Sequence, residues 1–178
     1  MGKTIGLKLL AADGGSVSSN ANPRMIYPVG EWIEVPGNGA YVSLTGDGVS
    51  AGGGGPILAA FECEEPTGMG DPPDGVKCFR RVKRLLKIPS GLILSGNLYL
   101  SSLTSLPEGF NPTVGGSLDL RSLTSLPEGF NPTVGGSLDL SSLTSIPEGF
   151  NPKVGGNLYL SSLTSLPDEL KKKYRIIR

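Results

Sequence analysis

A ten-residue phrase returns four times at intervals of 20 residues: LYLSSLTSLP from Leu98, LDLRSLTSLP from Leu118, LDLSSLTSIP from Leu138 and LYLSSLTSLP from Leu158. The linkers EGFNPTVGGS, EGFNPTVGGS and EGFNPKVGGN join the copies, and residues 103–120 recur unchanged at 123–140. A fixed period of this length confines the chain to stacked coils. One repeat alone cannot offset the entropy of ordering its backbone; stacking gives each turn ladder partners and core neighbours. Within a turn, Leu98 and Leu100 alternate with Tyr99, the period of a half-buried strand. Strands are therefore expected near residues 97–101, 117–121, 137–141 and 157–161. Leu103, Leu106, Phe110 and Val114 are expected inside the coil. Pro107 and Gly109 supply a turn, Asn111-Pro112 favours extended backbone, and Gly115-Gly116 supplies a second turn suited to positive φ. So much Pro and Gly predicts no long helix across residues 107–116.

The chain has 178 residues, with 27 Gly and 15 Pro, a share that would suggest disorder were much of it not locked to the repeat. Lys and Arg number 16 against 16 Asp and Glu, so no global field draws the chain to nucleic acid or to an acidic membrane. Charge is segregated instead. Lys77, Arg80, Arg81, Lys83, Arg84 and Lys87 form one basic cluster, and Lys171, Lys172, Lys173, Arg175 and Arg178 another. Seven acidic residues lie between them against only Arg121 and Lys153. There is no histidine, which removes Ser-His-Asp and Cys-His chemistry, histidine general bases and the usual ligand sets of zinc enzymes. Cys63 and Cys78 are too few for a structural zinc site and are expected as reduced thiols. The segment MGKTIGLKLLAADGG lacks the apolar core of a signal peptide, and no stretch reaches transmembrane length. The expectation is a soluble cytoplasmic protein without membrane contact.

The leucine phrase resembles the LxLxxNxLTxLP core of bacterial leucine-rich repeats, in their short 20-residue class, over about residues 85–170. It departs where Ser101-Ser102 replace the usual Asn and where the segment between LDL and LTSLP is two residues shorter. The resemblance implies a parallel β-solenoid; the departures remove that family's asparagine ladder and standard curvature from the expectation. Residues 87–92 echo SLPEGF and residues 94–97 echo VGGS, marking a partial first turn. CFRRVKRLL is expected both to end the first domain and to serve as the zeroth turn. At the far end, Asp168 is expected to cap a short helix, with Leu170, Ile176 and Ile177 packed inward.

Upstream, IGLKLL, EWIEV, AYVSL and PILAAFEC read as short strands between Gly, Asn, Asp and Pro turns. VGEWIEVPGNG followed by CFRRVKRL resembles a family of uncharacterised small domains in bacteriophage and bacterial proteins, which share a VGxWxxVxGxG segment and a closing RxRLV-type strand. Here AYVSLTGDGVSAGGGG stands where many of those domains carry Cys-x-x-Gly-x-His. The resemblance implies a phage or mobile-element setting and transfers no activity. The fold expected is thus mostly β: a small β-rich or α+β domain at 1–84, a leucine-rich-repeat-like solenoid at 85–170, and a basic C-terminal cap at 171–178.

Several motifs carry less than they promise. The four glycines from Gly52 lead into Pro56 instead of Gly-Lys-Ser/Thr, so they are a loop and not a phosphate cradle. Glu62, Glu64, Glu65, Asp71 and Asp74 match no calcium-loop spacing. The first basic cluster reads as a charged strand edge before it reads as a nucleic-acid contact. A single Thr per turn (Thr104, Thr124, Thr144, Thr164) falls short of the paired rows of ice-binding solenoids. The outward strand positions are more informative. With Leu98 and Leu100 inward, one outward column reads Tyr99, Asp119, Asp139, Tyr159, and Arg121 stands two residues after Asp119. These are among the few positions where the copies differ. Two tyrosines flanking an acidic pair and an arginine suit an interface, although the same residues also suit an ordinary solvated sheet face.

The function expected is a non-catalytic macromolecule-binding module that takes a protein partner on Tyr99, Asp119, Arg121, Asp139 and Tyr159, with no cofactor and no metal. Nucleic acid is the less favoured partner. The phage-domain resemblance extends the expectation to an inhibitor that occupies a bacterial host factor. Two other readings stay open. One is an enzyme in the first domain, for which a pocket joining Glu31 or Glu62 to Arg80 would speak; the other is a structural or oligomerising element.

Overall fold

The computed structural model describes residues 4–10, 28–34, 40–44, 49–50, 57–66, 76–85, 87–89 and 91–178. Two compact units divide the chain at residues 1–89 and 90–178, five residues beyond the boundary read from the sequence. In the first unit, β1 (Thr4–Leu10), β2 (Trp32–Glu34), β3 (Ala40–Leu44), β5 (Ile57–Pro66) and β6 (Val76–Arg84) account for the strands expected there, and the short β4 (Val49–Ser50) is additional. No helix occurs among its described residues. The pairings β6–β3, β3–β1, β1–β5 and β5–β6 are all antiparallel and form a closed ring, and β2 adds to β6 beyond β3. Leu7, Leu10, Leu58, Ala59, Ala60, Phe61 and Cys63 are buried. Burial of four consecutive residues from Leu58 means that this part of β5 is covered on both faces.

The same unit bears on two expectations. Cys63 lies opposite Val82 in the register of β5 and β6, and Cys78 lies opposite Tyr41 on β3. The strands are adjacent, but four residues of offset separate the cysteines by roughly 13 Å along β6, beyond the reach of a disulfide. Cys63 is accordingly a free, buried thiol. Its burial pushes its pKa up to about 12. Glu62, for its part, pairs with Lys83 at 2.7 Å, and Lys83 Nζ lies 5.4 Å from the Trp32 ring centroid. Trp32, Lys83 and Glu62 stand in one row across three strands. Glu62 is therefore held in a cross-strand charge pair, and Glu31 is exposed. The side chain of Arg80 lies outside the described residues.

The second unit is a parallel β-solenoid. Each turn lays down two very short strands, so the coil carries two parallel sheets. Sheet one is built from β8 (Leu98–Tyr99), β10 (Leu118–Asp119), β12 (Leu138–Asp139) and β14 (Asn157–Tyr159). Sheet two is built from β7 (Ile93–Leu94), β9 (Thr113–Val114), β11 (Thr133–Val134) and β13 (Lys153–Val154). The strands are shorter than expected because the chain turns at once: Leu103 N–H donates back to Leu100 O at 3.0 Å. Parallel pairing begins at β7 and β8, while β6, expected to double as a zeroth turn, lies in the antiparallel sheet of the first unit.

Inside the coil, Leu98, Leu100, Leu103, Phe110 and Val114 are buried, and so are their copies in the next turn. Pro112 joins them, an acceptable core residue because it brings no N–H in need of a partner. Leu106, Leu126 and Ile146, expected inside, are only half-buried. They stand at the shoulder leading into the next turn, where Phe110 N–H donates to Pro107 O at 3.2 Å. Gly109 has φ +73° at the third position of that turn, the left-handed value that favours glycine.

The Gly115-Gly116 pair has a different cause from the one expected. Neither residue is among those with positive φ. A Cβ on Gly115 would fall on the Ser95 carbonyl oxygen, and one on Gly135 on the Gly115 carbonyl oxygen. Glycine is required because successive turns touch backbone to backbone there. An asparagine ladder also exists, at a different corner from that of the leucine-rich repeats. Asn131 N–H donates to Asn111 Oδ1 at 2.6 Å, Asn151 N–H to Asn131 Oδ1 at 2.5 Å, and Asn111 Nδ2 to Gly129 O at 2.9 Å.

The C-terminal end closes the coil in two pieces. The helix α1 (Asp168–Lys173) starts after Pro167 without a side-chain cap; Asp168 pairs instead with Lys171 at 2.7 Å. Its Leu170 is buried, as is Tyr174. The following β15 (Arg175–Ile177) then continues sheet one in parallel with β14, so the last residues are a fifth strand as well as a cover. Ile176 and Ile177, expected to pack inward, are half-buried. No described helix is long and apolar enough to cross a membrane.

Candidate functional site: the outward strand column

Parallel stacking without offset puts Tyr99, Asp119, Asp139 and Tyr159 in one column, each directly opposite the next. Three strand spacings place the two tyrosine positions roughly 14 Å apart. The inward neighbours Leu98, Leu118, Leu138 and Leu158 are fully buried, which fixes the alternation that turns this column outward.

The two facing carboxylates would repel if left alone. Arg121 lies over them. Its Nε donates to both Asp119 oxygens, at 2.9 and 3.0 Å, and its Nη2 donates to Asp119 Oδ2 at 2.6 Å. The same Nη2 lies 3.8 Å from Asp139 Oδ2. Hydrogen bonding to Asp119, with the charges of Asp119 and Asp139, raises the guanidinium above the ordinary arginine value. Asp119 also accepts the Arg121 backbone N–H at 3.1 Å. Covered by these contacts, Asp119 is only 7% exposed, although the sequence places it on the solvent side. Asp139 is half-buried, and its Oδ1 accepts the backbone N–H and the hydroxyl of Ser141 at 3.0 and 2.5 Å.

The tyrosines differ from each other. Tyr99 is 41% exposed, one of three large hydrophobic residues exposed among the described residues. Tyr159 is half-buried, and Asn157 Nδ2 donates to its hydroxyl at 3.3 Å. Four of the five residues expected at the site thus lie on this sheet and Arg121 in the turn just after β10: Arg121 contacts Asp119 and Asp139, and the tyrosines stand beside the aspartates by register. Ser141 and Asn157, outward on the same strand face by alternation, add hydrogen bonds to the column, and Ile177 was not expected there. Ile177 stands opposite Tyr159 and lengthens the column by one rung. Its segment lacks the repeat phrase, so only pairing in three dimensions could place it.

In chemical terms the column is a fixed strip. Its central charges hold one another, hydrogen-bonding groups surround them, and an exposed aromatic ring stands at one end. Among the described residues no group of three or more His, Cys, Asp or Glu is placed to hold a metal ion. No match to the chain is found among protein-family models, curated proteins or solved structures.

Proposed function

We propose that the protein is a non-catalytic binding module that docks a protein partner across the outward column of sheet one. The observation that carries this reading is the contrast between copied and varied positions. Every buried leucine of the strands recurs in every turn, while the outward column changes from Tyr to Asp to Asp to Tyr. The Arg121 side chain is 58% exposed yet already tied to Asp119, so a partner meets a guanidinium whose orientation needs little further ordering. Tyr99 offers apolar area and a polar tip in the manner of interface anchors. With the resemblance of the first unit to small phage and bacterial domains, the partner is a bacterial host factor that this module occupies.

The test is capture from a bacterial lysate with the wild-type chain, followed by affinity measurement on the purified captured protein. Tyr99→Ala combined with Tyr159→Ala should fold normally and lose about 2 kcal/mol of binding, near 30-fold in affinity. Equal affinity of wild type and double variant would show the column to be an ordinary solvated face.

A further inference from the structure

The two sheets of the solenoid end differently. Sheet one finishes on β15, whereas β13 is the last strand of sheet two. In earlier turns the corresponding edge is fully used. Lys153 N–H donates to Pro132 O at 2.9 Å, Gly155 N–H to Val134 O at 2.9 Å and Gly156 N–H to Gly136 O at 2.8 Å. In the last turn the Tyr174 hydroxyl donates to Pro152 O, standing in for the first of these amides. The carbonyls of Val154 and Gly156 receive no donor among the described residues. Val154 is correspondingly half-buried, where Val114 and Val134 are each 1% exposed. An open strand edge of this kind is a template for an added strand.

We propose that the β13 edge is a peptide-binding site that takes an extended segment as a fifth, parallel strand of sheet two. The segment it selects reads acidic, apolar, Gly, Gly. This surface is separate from the outward column of sheet one, and the inference does not rest on that reading.

The selection follows from the way the turns already stack. A Cβ on Gly155 would fall on the Gly135 carbonyl oxygen, as one on Gly135 falls on that of Gly115. A strand added in the same register meets the Gly155 backbone in the same way and must be glycine there. Gly136 and Gly156 repeat the demand one residue later, since a Cβ on Gly156 would lie 3.0 Å from the Gly136 carbonyl oxygen. The apolar residue before the glycines extends the column of Val114, Val134 and Val154. Charge sets the first position. Lys153 is exposed where Thr113 and Thr133 stand in the turns below, and the incoming residue over it lies in a direct cross-strand pair. Lysine on an edge discourages indiscriminate pairing, so the site favours a strand that brings the opposite charge. A second copy stacked head to tail does not fit. At the other end of sheet two, the position equivalent to Gly115 is Ser95, which carries the Cβ that this stacking excludes.

The experiment titrates the full-length, 15N-labelled chain with the blocked peptide Glu-Val-Gly-Gly-Ser, which leaves the Asn151 and Pro152 positions to Lys173 and Tyr174, and with its Ala-Ala counterpart. The Gly-Gly peptide should shift the Val154 and Gly156 amides saturably, and the Ala-Ala peptide should bind at least about tenfold more weakly. Lys153→Glu should weaken the Glu-containing peptide about fivefold or more, and should not weaken a peptide with Thr in place of Glu. The proposal is overturned by any of three results: no saturable shift at these amides up to about 5 mM peptide, equal binding of the Gly-Gly and Ala-Ala peptides, or an affinity that Lys153→Glu leaves unchanged.

Discussion

Arg121 grips Asp119 through both its Nε and its Nη2, at 2.6 to 3.0 Å, and so places its positive charge between two carboxylates that strand pairing sets face to face. Arg121→Ala leaves Asp119 and Asp139 opposed without that cation. A loss of about 1–2 kcal/mol is expected, less than a fully buried pair would cost because the guanidinium is largely exposed. Urea denaturation should register it, with part of the loss recovered at high salt and part by adding Asp139→Asn. An undiminished midpoint would mean that the opposed aspartates carry no repulsion.

Two glycine substitutions separate the two reasons for glycine in each turn. Gly129 has φ +72° and open space around an added Cβ, so Gly129→Ala should cost about 1–2 kcal/mol for backbone conformation alone. Gly135 has ordinary φ but backbone of the preceding turn where the Cβ would go, and that backbone cannot give way without unstacking the turns. Gly135→Ala should therefore cost about 3 kcal/mol or more, the larger of the two by thermal or urea unfolding.

The ladder of Asn111, Asn131 and Asn151 ends on Lys173, whose Nζ donates to Asn151 Oδ1, and on Tyr174, whose hydroxyl lies 3.4 Å from that oxygen. Tyr174→Phe also removes the donor to Pro152 O and should destabilise the last turn by about 1 kcal/mol. Hydrogen exchange should speed up first at Lys153, Gly155 and Gly156 and little at β10. Uniform acceleration along the coil would instead mean that the turns unfold as one unit.

Cys63 gives an alkaline signature. Its thiol pKa moves from 9.0 to about 12 through burial, so between those values the folded chain keeps a proton that the unfolded chain releases. Stability from this residue is intact below about pH 9 and falls as pH rises toward 12. Comparing wild type with Cys63→Ala isolates the effect from lysines and tyrosines titrating nearby: the gap between their unfolding midpoints should change from about pH 8 to about pH 10.5. A thiol reagent should also leave Cys63 unmodified at about pH 8 until the chain unfolds.

The solenoid was legible because its cause is periodic. Leu98, Leu100, Leu103, Phe110 and Val114 recur at a spacing that only stacked turns can bury, and the same alternation puts Tyr99, Asp119, Asp139 and Tyr159 in one column. Local pattern cannot express what one turn does to another. The asparagine ladder, the backbone contact that demands Gly115 and Gly135, and the burial of Asp119 beneath Arg121 all arise between residues two or twenty positions apart, through side-chain geometry that a residue type does not specify. Ile177 shows the limit most clearly. Nothing in Arg175, Ile176 or Ile177 repeats an earlier phrase, and these residues become a fifth strand because β14 offers an unpaired edge where α1 returns the chain. The sequence by itself determined the period, the core and the outward column; the tertiary structure alone decided which edges are satisfied, because a hydrogen bond across turns depends on where the backbone arrives.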